Sequence, residues 1–329
     1  MADKARNITD KQLRKMERHI QSVYKEAENN IREKWDEYMQ NAEKRLKSLE
    51  IAYVKAKQSG DKAAAKKAGE TLGKAKANIT YRNQYFRDMV DETTTRLANA
   101  NKIALAYMNG QLPSIYAVNY NQLAGEADKV GIKFNIVNEN VVKNLVTQKE
   151  IKLTYKGLNI AKDKRWNARQ INASVLQGIL QGESMEKIAK RLTLVIDNNE
   201  QAAIRNARTL VTGTENQGRQ DSYEDLQERG AVIKKAWIAT PDGRTRQWHL
   251  SMDGQEVDVD EDFIDGEGNK LAFPGDPNAA PETVYNCRCS MRTHIIGFRT
   301  ADGRIEKVNA ERKSGLHQEQ IAEERKARG

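Results

Sequence analysis

The sequence predicts a mainly α-helical protein with a long, extended helical N-terminal arm and a small α+β domain near its C-terminus. Proline is excluded from helix interiors, and four of the five prolines lie between residues 241 and 281 of the 329. Hydrophobic residues make up 38% of the chain and charged residues 31%, which suits long solvated helices around a modest core. Apolar residues also recur every three or four positions over residues 13–53, as they do along one face of a helix.

This periodic stretch is the first predicted helix. Thr9 and Gln12 fit a capping box at its start, and Ser59-Gly60-Asp61 predicts its end. An apolar stripe of this kind fits a coiled-coil seam between two copies of the chain, and it equally fits packing within one chain. Self-association through residues 10–55 and an intramolecular bundle are therefore both open. The stripe consists of Leu13, Met16, Ile20, Val23, Ala27, Ile31, Trp35, Tyr38, Ala42, Leu46, Leu49 and Tyr53.

Two further helices complete the arm, which we assign to residues 1–110. An Ala/Lys-rich helix runs to about residue 78, and a third helix spans about 83–108. Asn109-Gly110 and Pro113 predict the end of that third helix. Residues 111–230 are predicted to be a helical middle region; its expected elements are a short strand at 133–137, a helix opening at Trp166, a helix over 185–192 and a longer helix over 199–229 that ends at Gly230.

The next predicted region, residues 231–298, is a compact α+β domain. Residues 231–239 are apolar and β-branched enough to predict a strand, and Pro241-Asp242-Gly243 is typical of a turn. Four of the prolines fall in this region or its loops. Residues 299–329 are rich in charge and are predicted to be a solvated tail.

Composition excludes several classes of protein. No apolar run approaches the roughly 18–20 residues that a membrane helix needs, and the N-terminus lacks the apolar core of a secretory signal, so we expect no membrane partner. The net charge is +9, with +7 in residues 1–100 and −6 in residues 251–300. A basic excess attracts nucleic-acid phosphates. Acidic residues are interleaved with the basic ones, however, which favours ordinary solvated helix faces.

Three residues near the C-terminus could bind a metal. Cys287 and Cys289 are too close in sequence for an ordinary disulfide, which predicts a reduced, cytosolic chain. With His249 they provide three good zinc ligands, and His294 or Asp253 could be the fourth. A structural zinc is thus one interpretation. A second, which we favour at this point, has the cysteines alternating across a strand, one packed and one partly exposed, with His249 anchoring a turn. A third is a catalytic thiol with His249 as its base.

Arg244 and Arg246 also have two interpretations. As alternate residues after a turn they point to one face and could clamp a phosphate or an acidic partner. The favoured alternative is that they pair with the nearby acids, which are Asp258, Asp260, Glu261 and Asp262. The chain has no Gly-rich phosphate loop, no G-x-S-x-G and no H-E-x-x-H. We therefore expect no catalytic residues and no enzyme.

Several short motifs follow one another in the C-terminal half, and their order is more specific than any one of them. They comprise an Arg-Thr pair in a helix, a strand Trp, a D-x-R-T-R-x-x-H turn, a D-G pair, a P-G-D-P loop and an N-C-R-C end. Together, over about residues 165–298, they resemble the phage head morphogenesis family, the Mu F-like minor head proteins. The residues are Arg208, Thr209, Trp237, Asp242, Arg244, Arg246, His249, Asp253, Gly254, Pro274, Gly275, Asp276, Pro277, Asn286, Cys287, Arg288 and Cys289.

One departure from the family pattern concerns the helix. An acidic residue is expected directly after Arg208-Thr209, but Leu210 stands there and Glu215 comes later. This departure puts a shared role for an Arg–Glu pair in doubt.

The resemblance implies a virion structural protein. Such a protein would be made in the host cytoplasm, bind the portal protein, stay inside the capsid at the portal vertex and take part in head assembly and in DNA packaging or ejection. Packaged double-stranded DNA is a further partner that a basic arm would suit. Two alternatives from other classes remain. One is a transferase or hydrolase using Arg208, Glu215 and His249; the other is a protein whose N-terminal arm binds DNA.

Overall fold

The structure, a computed structural model, describes residues 3–78, 84–129, 131–147, 164–181, 183, 185–240, 242–300 and 302–307. The chain divides into two compact units, each built from segments that are distant in sequence. Unit 1 comprises Met1–Glu17, Ala106–Leu158 and Ile204–Gly329, and unit 2 comprises Arg18–Leu105 and Asn159–Ala203. The regions predicted from sequence, 1–110, 111–230, 231–298 and 299–329, are contiguous stretches and stay a prediction.

The described chain is mainly helical, and its strands are short and follow the last long helix, as predicted. The helices are α1 (Lys4–Gln58), α2 (Lys62–Ala77), α3 (Gln84–Tyr120), α4 (Ala124–Lys129), α5 (Glu139–Thr147), α6 (Lys164–Leu180), α7 (Met185–Glu228), α8 (Gln247–Leu250) and α9 (Pro281–Val284). The strands are β1 (Ala231–Ile238), β2 (Glu256–Asp258), β3 (Phe263–Ile264), β4 (Lys270–Leu271), β5 (Ser290–Arg299) and β6 (Ile305–Lys307).

In unit 2, the apolar stripe of α1 packs against α3 of the same chain. Trp35 is 2% exposed; its ring meets that of Phe86 edge-on at 5.8 Å, and its indole N–H donates to Thr93 at 2.9 Å. Tyr24, also fully buried, donates to Asn101. The structure thus favours the intramolecular interpretation of the stripe over a coiled-coil seam, because its central residues already have partners in the chain.

The predicted start of the first helix is wrong. Helix α1 begins at Lys4, so Thr9 lies within it, where its hydroxyl donates to the carbonyl of Ala5 at 3.0 Å. Gln12 is not a capping partner either, since its amide donates to Ser114 at 2.9 Å. Thr9 is buried and accepts a hydrogen bond from Asn119 at 2.8 Å. Its polar side chain therefore serves packing within unit 1 rather than a helix end.

The predicted end of the third helix is also wrong. Helix α3 continues through Gly110 and Pro113 to Tyr120, although Pro113 lacks the N–H that would bond one turn back. Beyond the proline, Ile115 and Tyr116 are buried in unit 1. Their burial stabilises the helical path enough to offset the lost hydrogen bond. Residues 133–137 form no strand: the amide of Asn121 bonds both the N–H and the carbonyl of Val137.

Helix α7 is one continuous helix where the sequence predicted two, and it contacts α3 closely at Gly218. A Cβ at this position would lie 2.7 Å from the carbonyl oxygen of Tyr116 and 3.3 Å from the N–H nitrogen of Tyr120. Both are backbone atoms of a helix, so neither can move aside cheaply. The glycine sets how near the two helices can come within unit 1.

Gly218→Ala is therefore expected to lower the free energy of unfolding by about 1–3 kcal/mol. The matched control is Gly73→Ala in α2, where a Cβ meets nothing within 4 Å. That control should gain about 0.5–1 kcal/mol, because alanine favours a helix interior over glycine. Urea unfolding followed by circular dichroism measures both values. Equal effects of the two substitutions would contradict a close contact at Gly218.

The strands of unit 1 form a four-stranded antiparallel sheet in the order β2-β1-β5-β6, and β3 and β4 pair as a separate hairpin. Strand β1 confirms the predicted strand, and it pairs with β5 along its whole length, with an irregularity between Val232 and Ile233. Tyr223 and Leu226 of α7 are fully buried against this sheet in one apolar core. The core also contains Trp237, Met252, Phe263, Leu271, Phe273, Cys287, Cys289, Met291 and Ile295.

Among the described helices, none combines the length and hydrophobicity required to cross a bilayer. Residues 308–329, most of the predicted charged tail, lie outside the described residues, while β6 occupies its beginning.

Candidate functional site

The family-motif residues of unit 1 are organised around one polar face of α7. Thr209, Thr212 and Asn216 follow at helical spacing, and each bonds the backbone of the segment that leads into β5. Thr209 accepts from the N–H of Asn286 at 2.8 Å, and Thr212 donates to the carbonyl of Cys287 at 2.7 Å. Asn216 bonds Cys289 and Met291, receiving the Met291 N–H at 3.0 Å. The helix thus holds the N-C-R-C segment by its main chain.

The same face of α7 continues into a buried ionic network. Glu215 and Arg219 are both fully buried and pair with each other at 3.2 Å. Arg6 of α1 also pairs with Glu215, and Arg219 pairs with Asp3 at 2.8 Å. Arg292 of β5 lies 3.7 Å from Asp3. The network joins the first residues of the chain to α7 and the sheet.

Arg219 has further partners that satisfy its guanidinium. Its Nη1 donates to the carbonyl of Met291 at 2.9 Å and its Nε to Asn119 at 3.1 Å. Burial by itself raises the pKa of Asp3 and is the largest single effect. The charge of Arg219, the hydrogen bonds from Arg6 and Arg219 and the charge of Arg292 together outweigh it and hold that pKa well below its ordinary value. Asp3 therefore stays ionised in the folded chain.

The sequence left a shared role for Arg208 and Glu215 in doubt. In the structure the two residues do not pair with each other, and each has its own partner. Arg208 bonds Glu17 at 2.6 Å on a partly exposed surface, whereas Glu215 bonds Arg6 and Arg219 in the core. Sequence reasoning singled out Glu215 but missed its partners. The one local signal was the spacing of Glu215 and Arg219, four residues apart on a helix.

The turn after β1 is held by Asp242. Arg288 pairs with both oxygens of this carboxylate, one of them at 2.7 Å. The N–H of Arg244 donates to it at 2.9 Å. These hydrogen bonds, with that from Arg288 the strongest, hold the pKa of Asp242 well below its usual range. The Asp and the last Arg of the family motif are thus one structural pair.

The prediction that Arg244 and Arg246 pair with the acids at 258–262 is wrong. Neither bonds an acid of the 258–262 cluster: Arg244 lies 3.3 Å from Asp242, and Arg246 donates to the carbonyl of Tyr285 at 2.6 Å. The acids of that cluster lie on and after β2, whose strand pairing carries them to other neighbours; Asp258, for instance, pairs with Lys234.

The D-G and P-G-D-P motifs close two loops. Asp253 accepts from the N–H of Ala239 at 3.0 Å, and Gly254 has φ 82°, a conformation that glycine adopts without strain. In the second loop Asp276, between Pro274 and Pro277, accepts from the N–H groups of Ala272 at 3.0 Å and Asn278 at 2.8 Å. Gly275 has φ 79°.

Asn286, which opens the N-C-R-C segment, is the non-glycine residue with positive φ among those described, at 56°. Asparagine tolerates this left-handed conformation better than most side chains. The conformation turns the chain so that Cys287 and Cys289 both enter the core. The motif residues in these loops therefore serve backbone geometry.

His249, Cys287 and Cys289 come together as one buried group. The Nδ1 atom of His249 lies 3.6 Å from the sulfur of Cys287 and 3.7 Å from that of Cys289. The exposed fractions are 1%, 3% and 1% in sequence order. No disulfide joins the two cysteines. The expectation of one packed and one partly exposed cysteine is wrong, because both lie ahead of β5 and face the same core.

The two thiols influence each other. The hydrogen bond with Cys287 lowers the pKa of the Cys289 thiol well below its ordinary value, and the same interaction with Cys289, together with burial, raises the pKa of Cys287. Of the two fourth ligands considered, Asp253 does not join the group in the described residues. The side chain of His294 lies outside the described residues.

Comparison with known proteins gives two kinds of match. The family model for Phage Mu protein F like protein matches residues 169–292, a range that includes all of the motif residues. The chain is also 25% identical over 289 residues to the minor head protein GP7 of Bacillus phage SPP1, covering 86% of this chain and 91% of that protein.

A second curated protein matches a shorter part. The chain is 31% identical over 174 residues to the NAD(+)–arginine ADP-ribosyltransferase EFV of Enterococcus faecalis strain ATCC 700802 / V583, covering 53% of this chain. The match spans about a third of that transferase, 35% of its length. No solved structure matches the chain. The ordered motifs, the family-model match over residues 169–292 and the near full-length match to a minor head protein agree, and together they support a Mu F-like family of phage head proteins for this chain.

Proposed function

We propose that this chain is a non-enzymatic minor head protein that sits inside the virion at the portal vertex, binds the portal protein and takes part in head assembly and in DNA packaging or ejection. The observation that carries the proposal is the extent of the match to GP7 of phage SPP1, which runs over 86% of this chain and 91% of that protein. A relationship over nearly the whole of both chains supports a shared role for the whole molecule.

The motif geometry supports a structural role. Thr209, Asp253 and Asp276 bond main-chain groups, and Asp242 pairs with Arg288. Side chains used in this way shape a surface and fix its loops. A rigid surface is what a protein needs to dock repeatedly on one partner.

The residues that an enzyme would use here are buried or held in ion pairs. Glu215 is fully buried and accepts from two arginines, so a substrate cannot approach it. His249 is 1% exposed, and Arg208 pairs with Glu17. The partial likeness to a transferase adds little support, since two thirds of that protein has no counterpart in the match.

The alternative of a DNA-binding arm is weakened by local pairing of the basic residues. In unit 2, Lys34 and Arg96 both pair with Glu92, and Lys76 pairs with Glu50. Such pairs reduce the local positive potential available to phosphates. The alternative predicts an affinity for double-stranded DNA that falls steeply as salt rises.

The test is to co-express this chain with the portal protein of the same phage and to measure the purified portal ring by native mass spectrometry. We expect a ring that carries a few copies of this chain, and we expect the chain in purified proheads. A portal ring from an unrelated phage is the control and should stay bare. The proposal would be overturned by a bare cognate ring beside folded free chain and by the absence of the chain from proheads and virions.

A further inference from the structure

We propose that His249, Cys287 and Cys289 bind a zinc ion that fixes helix α8 to the segment entering β5. The proposal does not depend on the proposed function. The three ligand atoms, one nitrogen and two sulfurs, lie within 4.8 Å of one another in the core of unit 1.

The spacing of these atoms matches a tetrahedral zinc site. With Zn–S bonds of about 2.3 Å and Zn–N bonds of about 2.0–2.1 Å, tetrahedral geometry puts a nitrogen and a sulfur ligand about 3.6 Å apart. The Nδ1 atom of His249 lies 3.6 Å from the sulfur of Cys287 and 3.7 Å from that of Cys289. One ion can therefore reach all three atoms with little movement of the side chains.

Hydrogen bonding alone explains the group less well. A neutral imidazole nitrogen has one in-plane lone pair and accepts from one donor, yet two thiols approach Nδ1 at nearly equal distances. The other ring nitrogen, Nε2, is buried and has no hydrogen-bond partner among the described residues. A metal ion would use the lone pairs of all three ligand atoms at once.

The chemistry of the ligands selects the metal. Thiolate sulfur and imidazole nitrogen together favour zinc over magnesium or calcium, which prefer oxygen. The N–H of Cys289 points to the sulfur of Cys287 at 3.4 Å, and a hydrogen bond of this kind stabilises a thiolate ligand. Among the described residues no other histidine, cysteine or acid joins the group.

A metal here would stabilise a part of the fold that has little regular structure. Helix α8 has four residues and no side-chain cap, and His249 on it is 38 positions from Cys287. Most of the intervening chain consists of turns, loops and two-residue or three-residue strands. One ion would link the two ends of that segment inside the core, beside Trp237 and Met291.

The first test is the zinc content of the full-length chain, purified without chelators and measured by plasma mass spectrometry. We expect about one zinc per chain, lost in the Cys287→Ser/Cys289→Ser double variant and in His249→Gln. His19→Gln is the matched control, because His19, on α1, is not part of this group and its loss should leave zinc content unchanged. Stoichiometric zinc in the folded double variant would overturn the proposal.

A second measurement needs no variant and so does not depend on whether the variants fold. The metal-free wild-type chain, checked for folding by circular dichroism, is titrated with cobalt(II). We expect thiolate-to-cobalt charge-transfer absorption that saturates at about one cobalt per chain and disappears when zinc is added, since both metals take this ligand set. A folded chain that shows no such absorption and takes up no zinc would also overturn the proposal.

Discussion

Glu215→Gln is expected to lower the free energy of unfolding by about 3–5 kcal/mol, because it leaves two buried arginine charges without their shared carboxylate. Arg219 is fully buried and Arg6 nearly so, and both pair with Glu215. Glutamine has nearly the same size as glutamate, so the loss of unfolding free energy reports the missing charge rather than a change in side-chain volume. Urea denaturation followed by circular dichroism gives the difference between variant and wild type.

The matched control for this prediction is Glu17→Gln. Glu17 pairs with Arg208 where the two side chains are 21% and 31% exposed, and a pair of this kind contributes about 0–1 kcal/mol. If both variants lost only a small and similar amount of unfolding free energy, the network around Glu215 would not be responsible for holding the N-terminal residues to α7.

Trp237→Ala is expected to lower the free energy of unfolding by about 3–5 kcal/mol through the cavity it leaves. Trp237 is fully buried; its ring lies 5.3 Å from that of Phe263 and 5.5 Å from the imidazole of His249, both edge-on. No rearrangement of short loops can readily fill the volume of an indole. The same urea unfolding experiment measures the loss.

The control for Trp237 is Tyr285→Ala in the same unit. Tyr285 is 39% exposed, and its hydrogen bond to Arg246 uses the carbonyl rather than the ring, so the expected change is within about 0.5 kcal/mol. Trp237→Phe should lie between the two alanine variants, since it keeps part of the buried area. A Trp237→Ala variant as stable as wild type would mean that this ring does not organise the core.

Part of the family motif could be understood from the sequence alone. The motif contains a D-G pair and a P-G-D-P loop, and the structure puts Gly254 and Gly275 of these two at positive φ, the conformation for which glycine is suited. The strand at 231–239 also follows from its own residues. These features depend on neighbours in the sequence, and short-range sterics decide them.

The errors share a different cause. Thr9 and Pro113 carry the local signals of a helix start and a helix end, yet both lie inside helices. In each case the flanking residues are buried in unit 1, for example Met16 beside the first and Leu112 and Ile115 beside the second. Burial of these apolar side chains stabilises the helices by more free energy than the hydrogen bond at stake in a local start or stop signal contributes.

In the candidate site, too, the residue types could be identified from the sequence, whereas the contacts depend on the tertiary structure. Sequence reasoning named His249, Cys287 and Cys289 from residue type, but the distances of 3.6 Å and 3.7 Å from the His249 Nδ1 atom to the two sulfurs depend on the fold. It missed Asp3, Arg6 and Arg219, since the first two lie more than 200 positions from their partners. Nothing along the chain marks such a pair.

The sequence by itself determined the helical class, the apolar face of α1, the loop positions of the motif glycines and the resemblance to Mu F-like head proteins, because each depends on periodicity, backbone conformation or residue order. Tertiary structure alone decided where α1 begins and where α3 ends, that the central part of the apolar stripe is buried within the chain, and that Glu215 is a buried ion-pair partner. The reason is physical: these outcomes depend on burial and on charges brought together from distant positions, and their energies exceed the local preferences of the segments involved.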